Sequence, residues 1–371
     1  MSGSLSANTK AILLLTAPLI VGRLAPGDRS VEPLSLNREY NRLAKRLREI
    51  ERAPADLLGA DAGSVLAECL GGGDSVAESL DPGRIEALLG RGMQLSLAVE
   101  KWQARAIWVL SRADDGYPSR LKARLREKAP PVLYGCGHQH LMDKGGLAVV
   151  GPRDVGLNLI DYAHEVGAFA ASSGRAVISG AARGVDRAAM AGALSAGGWA
   201  VGVLGNDLAR AATHRQNRSA LLDGHLVVVS PYDPAARFVA GHAMARNHSV
   251  YGLADAALVV EALVDRGGTW AGATAQLERR SACPVYVRST LGRSNGLAAL
   301  EARGALPWPN PQTAEELGAV LNHAVAEPPA SAEQRTLVAA SGSSIVAEPR
   351  MLPFDQRADD SDGEAGDGDE G

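Results

Sequence analysis

The stretch Val177-Ile178-Ser179-Gly180-Ala181-Ala182-Arg183-Gly184-Val185-Asp186 decides how this chain folds. An apolar run ending at Ile178 predicts a buried strand, and Ala188, Ala189, Ala191 and Leu194 predict a helix opening near Asp186. Between them lies a turn bracketed by Gly180 and Gly184. Strand, small-residue turn and helix start together make an anion site. Glycine lets an oxygen approach the amides, and the first helical turn leaves N–H groups unpaired at the positive end of its dipole. Arg183 adds a forked cation that matches phosphate. A purely structural turn with a solvated arginine would carry the same residues, so the neighbourhood has to decide.

Outward from this stretch the chain alternates. Strands are predicted at 147–150, 176–178, 200–204, 226–229, 257–260 and 285–287, with helices between most of them. The helix from about 154 to 171 puts Leu159, Ala163, Val166 and Ala170 on one side. Continuous apolar strands alternating with helices predict an α/β fold, a mostly parallel sheet with helices on both faces and ligands off the strands' carboxyl ends. Those ends read Gly151-Pro152-Arg153, the opening stretch, Gly205-Asn206-Asp207, Ser230-Pro231-Tyr232, and Glu261 followed by Asp265-Arg266-Gly267-Gly268-Thr269. Arg153, Arg183, Arg246 and Arg266 are expected to converge on one rim above glycine-rich backbone, which suits a polyanion.

Three parts are expected. Residues 1–107 form a small helical N-terminal region, with an amphipathic helix over 37–53 carrying Leu43, Leu47 and Ile50 on one stripe. Residues 108–325 hold the alternating domain, in which 108–137 reads as a connecting segment and 313–325 as a last helix. Residues 326–371 read as a disordered acidic tail, rich in Ala, Ser, Glu and Pro. The total charge is −4, but residues 355–371 hold eight acids and one arginine and account for −7, so residues 1–354 carry +3. The acidity belongs to the tail, and a nucleic-acid partner is compatible with the rest. Cys69, Cys136 and Cys283 are odd in number and widely spaced, which fits a reducing cytoplasm better than a disulfide framework or a zinc site. The apolar run 11–21 is interrupted by Pro18 and reads as a core segment, not a secretory leader; no stretch is long enough to predict a membrane span.

The run Ser179-Gly180-x-Ala182-Arg183-Gly184-Val185-Asp186 resembles the S-G-x-A-R-G-I-D signature of the DprA/Smf family, the DNA-processing proteins of bacterial transformation. Other motifs follow in the family's order: Asp115-x-Tyr117-Pro118-x-x-Leu121, Pro130-Pro131-x-Leu133-Tyr134, Val149-Val150-Gly151-x-Arg153, Arg246-Asn247, Gly252-Leu253-x-Asp255, Val259-Val260-Glu261-Ala262, and Asn295-Gly296-Leu297 with Gly304-Ala305. The resemblance covers roughly 108–308. It implies an extended Rossmann-like fold, a positively charged pocket for single-stranded DNA, a homodimer, and delivery of the strand to a RecA-type recombinase. Carried over by position, Arg153, Ser179, Gly180, Arg183, Gly184, Arg246 and Asn247 would line that pocket; the strand-end residues Gly151, Gly267, Gly268 and Thr269 complete the expected set. The resemblance implies no catalytic residue, metal or cofactor.

This chain departs from the family pattern. Pro152 replaces the serine of V-G-S-R, His248 replaces the second arginine of R-N-R, and Ala243-Met244 replaces the phenylalanine-proline before it. No C-terminal winged-helix pattern is evident. Tyr232, Tyr251 and Trp270 are the aromatic residues expected near the rim, each with packing as its default role. Two other classes compete. A nucleotide-cleaving phosphoribohydrolase would need a P-G-G-x-G-T-x-x-E loop, whereas Arg266-Gly267-Gly268-Thr269-Trp270-Ala271-Gly272 lacks the proline, the G-T pair and the glutamate; Glu261 reads more readily as a structural acceptor than as a general base. A nucleotide sensor using the same cleft would prefer a mononucleotide to an oligonucleotide. A dehydrogenase fits poorly, because the first loop has no G-x-G-x-x-G, and His138-x-His140 has no third metal ligand nearby.

Removing residues 355–371 is expected to leave the thermal unfolding temperature unchanged and, by taking away −7, to strengthen binding of oligo-dT slightly. A fall in melting temperature on truncation would show that the tail is packed.

Overall fold

In the computed structural model, side-chain alternation along the strands sorts one sheet into two buried faces. The structure describes residues 5–19, 32–71, 80–279 and 283–323; the tail expected at 326–371 lies outside them. Among these residues the sheet has nine strands: β1 (Trp108–Ser111), β2 (Val132–Gly137), β3 (Leu147–Val150), β4 (Val177–Ser179), β5 (Ala200–Val203), β6 (Leu226–Ser230), β7 (Ala256–Val259), β8 (Val285–Val287) and β9 (Leu306–Pro307). Their order is β1-β2-β6-β5-β4-β3-β7-β8-β9. From β6 to β9 every pairing is parallel, while β2 runs antiparallel to β6 and β1 antiparallel to β2.

The six strands predicted from continuous apolar runs all form, each with ends within one residue of expectation. Leu147, Val149, Val177, Val228 and Leu258 point into one core. Their neighbours Ala148, Val150, Ile178, Val227 and Val259 point into the other. The helices Leu157–Ser172 and Val185–Ser195 cover the first face with Ala163, Ala170, Ala189 and Ala193. The second is covered by Leu121, Val250, Leu253, Trp270 and Ala273. The architecture is therefore α/β, a Rossmann-like mostly parallel sheet with helices on both sides.

The segment expected to be a mere connection, 108–137, differs: it supplies β1 and β2, separated by the helix Ser119–Leu125. Turn signals at Asp115-Gly116 and Pro130-Pro131 obscure two short strands whose pairing is long-range. The Trp108 indole Nε1 donates to the Gly137 carbonyl at 2.8 Å and pins the pair. Behind it, Arg120 and Arg124 pair with Asp255, which also accepts the Gly146 amide at 2.8 Å, tying this segment to the start of β7. The apolar run expected in the core begins as the helix Ala7–Thr16, with Ala11 to Leu15 fully buried. Leu43 and Leu47 of the helix Asn41–Glu49 join the same core, so the N-terminal helices share the first face's interior.

Topology fixes where a crevice opens. From β3 the chain moves outward through β4, β5 and β6, then returns to β7 on the other side of β3 and continues to β8 and β9. The helix after β3 lies on the first face and the helix Gly267–Leu277 after β7 on the second. The two connections part above the adjacent ends of β3 and β7, leaving the gap in which open α/β sheets hold ligands.

Candidate nucleic-acid interface

A cavity of about 440 Å³ occupies that gap. Gly151, Pro152 and Arg153 after β3 form one wall, Arg266, Gly267, Gly268 and Thr269 after β7 another, and residues between Phe238 and Asn247 a third. Asp186 and Arg246 lie at its base.

Arg246 is only 7% exposed. It stands between the helices Ala240–Ala245 and Asn247–Leu253, and its guanidinium lies on the backbone of Gly180 where any Cβ would fall. One terminal nitrogen sits 3.6 Å from the Asp186 carboxylate, and Nε has no hydrogen-bond partner among the described residues. Asp186, 5% exposed, accepts the Gly151 amide at 3.3 Å. Burial pushes its carboxyl above the usual range, opposed by the Arg246 charge and by the Gly151 and Ala182 amides. Burial likewise pulls the Arg246 guanidinium down, and Asp186 opposes that shift.

The glycine turn brings Ala182 to the cavity lining and also serves the fold itself. Gly184, with φ of 89°, caps the helix Val185–Ser195, and the Val185 amide donates to the Pro152 carbonyl at 3.4 Å. The charge held at this helix start is the chain's own Asp186, in the first turn where a helix dipole favours an acid. Gly180 lies beneath Arg246 instead of on the cavity wall. Ser179, expected to line the pocket, is fully buried and donates to the Val149 carbonyl at 2.6 Å, tying β4 to β3. Arg183 is expected on the same rim, but it projects into solvent and pairs with Asp154, outside the cavity lining. Both have partners distant in sequence that their own motif does not reveal.

The other expected residues come together: Gly151, Arg153, Arg246, Asn247, Gly267, Gly268 and Thr269 all line the cavity. Gly267, with φ of 80°, turns the chain into its helix, whose first-turn amides have no acceptor within the helix. Asn247 holds that turn by donating to the Gly268 carbonyl at 2.9 Å. His248 lies outside the lining, so the family's missing arginine takes no charge from this cavity. Burial, helped by the Arg279 and Lys128 charges, pulls its pKa down to about 4. Glu261 also lies outside the lining; it accepts the Ala262 amide at 2.8 Å and pairs with Ser294 and Arg288, a structural acceptor.

Of the aromatic residues expected at the rim, Tyr251 and Trp270 are buried and Tyr232 stacks on His242 at 3.7 Å. The exposed aromatic ring on the wall is Phe238, which sequence reasoning missed; its loop has no periodicity to mark it. The Arg153 guanidinium lies 5.0 Å from the centre of that ring. All three cysteines are free and buried. Among the described residues no cluster of three or more His, Cys, Asp or Glu side chains could hold a metal, and no helix is long and apolar enough to cross a membrane.

The fold and site together define a Rossmann-like α/β protein with a cationic, partly apolar cavity at the switch point of its sheet. The family model described as DNA recombination-mediator protein A matches residues 108–316, and this chain belongs to that family. DNA processing protein DprA from two strains of Mycobacterium tuberculosis is 31% identical over 251 residues, 66% of this chain; the chain spans 61% of the length of those relatives. In fold it is similar to the crystal structure of DNA processing protein A from Streptococcus pneumoniae, with a TM-score of 0.59 at 22% identity, covering 76% of this chain and 92% of that one.

Gly180→Ala would set a methyl group where the Arg246 guanidinium lies and is expected to lower the unfolding free energy by roughly 2–4 kcal/mol in urea denaturation. Gly241→Ala, with nothing within 4 Å of the new Cβ, serves as the control. An unchanged midpoint for Gly180→Ala would contradict the seating of Arg246. A folded-state pKa of about 4 for His248, below the ordinary histidine value of 6.5, means that the folded state binds fewer protons than the unfolded one between these values. This histidine's contribution is fully present above pH 6.5 and is lost as the pH falls toward 4. The melting temperature of His248→Gln is expected to fall less between pH 7 and pH 5 than that of the parent protein.

Proposed function

We propose that this chain binds single-stranded DNA in the switch-point cavity and acts as a recombination mediator without chemistry of its own. The observation that carries this reading is Arg246, a nearly buried guanidinium clamped by Gly180 and Asp186 at the base of a cavity that also has an amide-bearing helix start in its wall. Arg153 and Arg266 supply two more cations on the wall. Backbone amides and arginines recognise phosphate without reading sequence. Among the described lining residues Asp186 is the single carboxylate, and it is already paired with Arg246 rather than poised as a base. Delivery of the strand to a RecA-type recombinase, action as a homodimer and a cytoplasmic setting belong to the same proposal, supported by membership of the family and by the ordered motifs.

A nucleotide sensor is the second reading, favoured by the modest volume of the cavity. Fluorescence anisotropy with labelled oligo-dT, the matching duplex and a competing mononucleotide separates the two. Binding is expected to the single strand and much less to the duplex. With three arginines on phosphates, affinity should fall about 20-fold between about 50 and 200 mM salt, from a slope of about −0.7 per phosphate. Arg266→Ala is expected to weaken binding roughly tenfold, and Arg183→Ala by less, because Arg183 stands outside the cavity. Displacement of oligo-dT by an equimolar mononucleotide would favour the sensor, and no binding to either DNA would overturn the proposal.

A further inference from the structure

At the far edge of the sheet a cavity of about 610 Å³ opens beside β1. β1 lies five strands from β3, roughly 24 Å at the usual spacing, and no residue lines both this cavity and the one above β3 and β7. Its walls come from the start of the helix Ala7–Thr16, the end of the helix Gly92–Gln103, β1 and Gln139. Trp102 and Trp108 supply two indoles, and both are fixed: Trp102 meets Tyr134 edge-on at 5.1 Å, while the Trp108 N–H is held by the Gly137 carbonyl. Val99 and Leu110 extend the apolar surface. The polar groups are few. Trp102 is 6% exposed, yet its N–H has no hydrogen-bond partner among the described residues, which leaves a buried donor open to a ligand. The Ser111 amide donates to Asp114 and the Arg112 amide to Pro131 beside β2, so alternation turns the N–H and C=O of Val109 to the free side of the strand.

Charge decides the class of ligand. Among the described residues the lining holds no Lys, Arg or His, and Asp114 is its single charged side chain. The Asp114 carboxylate accepts the Ser6 and Thr9 hydroxyls, each at 2.6 Å, and the Ser111 amide at 2.7 Å. Burial acts to raise its pKa, but these donors outweigh burial and hold the carboxyl below its usual range. All of them are neutral. Lys122 reaches the Asp114 main-chain carbonyl at 3.4 Å, and no ion pair to the carboxylate forms among the described residues. Three donors use three of about four lone-pair directions, which leaves one for an outside partner. An anion would be repelled here, whereas a cation would meet a fixed carboxylate and two indoles, the rings that attract cations most. We propose that this cavity is a second ligand site, built for a small organic cation with a flat apolar body. The cationic end, an amidinium or an ammonium, bonds Asp114, and the body packs against Trp102, Trp108 and Leu110. The volume is that of a small-molecule pocket, a concave apolar site with a few placed polar groups. The site is independent of the single-stranded DNA reading, and its ligand and oligo-dT can be bound together.

The probe is p-aminobenzamidine, with p-aminobenzoate as the same ring carrying a negative charge, each titrated against the full chain by calorimetry. The cation is expected to bind saturably at one site per chain, and the anion not to bind. Asp114→Asn removes the charge and should weaken the cation about 10- to 150-fold, as loss of a charged hydrogen bond does. Gln103→Trp puts a large ring into the lining from an exposed position at the end of its helix. It should abolish binding of the cation and leave the melting temperature unchanged. Neither variant should alter the affinity for oligo-dT, and oligo-dT should not displace the cation. If Asp114→Asn fails to fold, Gln103→Trp decides alone. Equal binding of cation and anion, undiminished binding by Gln103→Trp, or displacement by oligo-dT overturns the site, as does the absence of saturable binding at millimolar probe.

Discussion

A guanidinium resting on bare backbone holds the site together. Arg246 can lie where it does only because Gly180 has no side chain, and it stays there because Asp186 answers its charge. The contact joins the turn after β4, the start of the next helix and the segment after β6. Taking both ions out of water costs several kcal/mol each, and pairing offsets this only when other polar partners help. Asp186 has the Gly151 amide and Arg246 does not have a full set, since its Nε stays unpartnered among the described residues. A cation that is buried, fixed and incompletely satisfied is a strong local attractor for an anion.

The sheet decides where this cation matters. Because strands are added on one side of β3 through β6 and on the other side from β7 onward, the loops above the parallel strands β3 and β7 separate, and Arg246 sits at the base of the opening. Each wall then contributes a different chemistry. The turn at Gly267 presents amides, Arg153 and Arg266 present positive charge, and Phe238, Met244 and Leu263 present apolar surface. Charge alone would hold any polyanion, and apolar surface alone would hold grease; their juxtaposition narrows the choice to ligands carrying both.

Much of the architecture was legible in the sequence, because strands buried on both faces write themselves as continuous apolar runs. The runs at 147–150 and 285–287 appear with the same bounds in the fold. The glycine signature was legible as a turn between strand and helix, but its side chains were not. Ser179, Arg183 and Gly180 are each explained by a residue far along the chain: the Val149 carbonyl, Asp154 and Arg246. No local pattern encodes such pairings. β1 and β2 escaped for the same reason, since strands of four and six residues gain their identity from partners across the sheet. Phe238 escaped because a single aromatic residue in an aperiodic loop looks the same in sequence whether its ring is packed or exposed.

The two ends of the sheet are short. β1 has four residues, and β9 has two and closes on Pro307, which has no N–H to offer a further strand. Long open edges invite pairing with foreign chains and are a common start of aggregation. A broad parallel interior with abbreviated margins lets this protein keep an apolar sheet at its centre while offering unfolded or partly folded neighbours little to template on, which favours solubility when many copies crowd together.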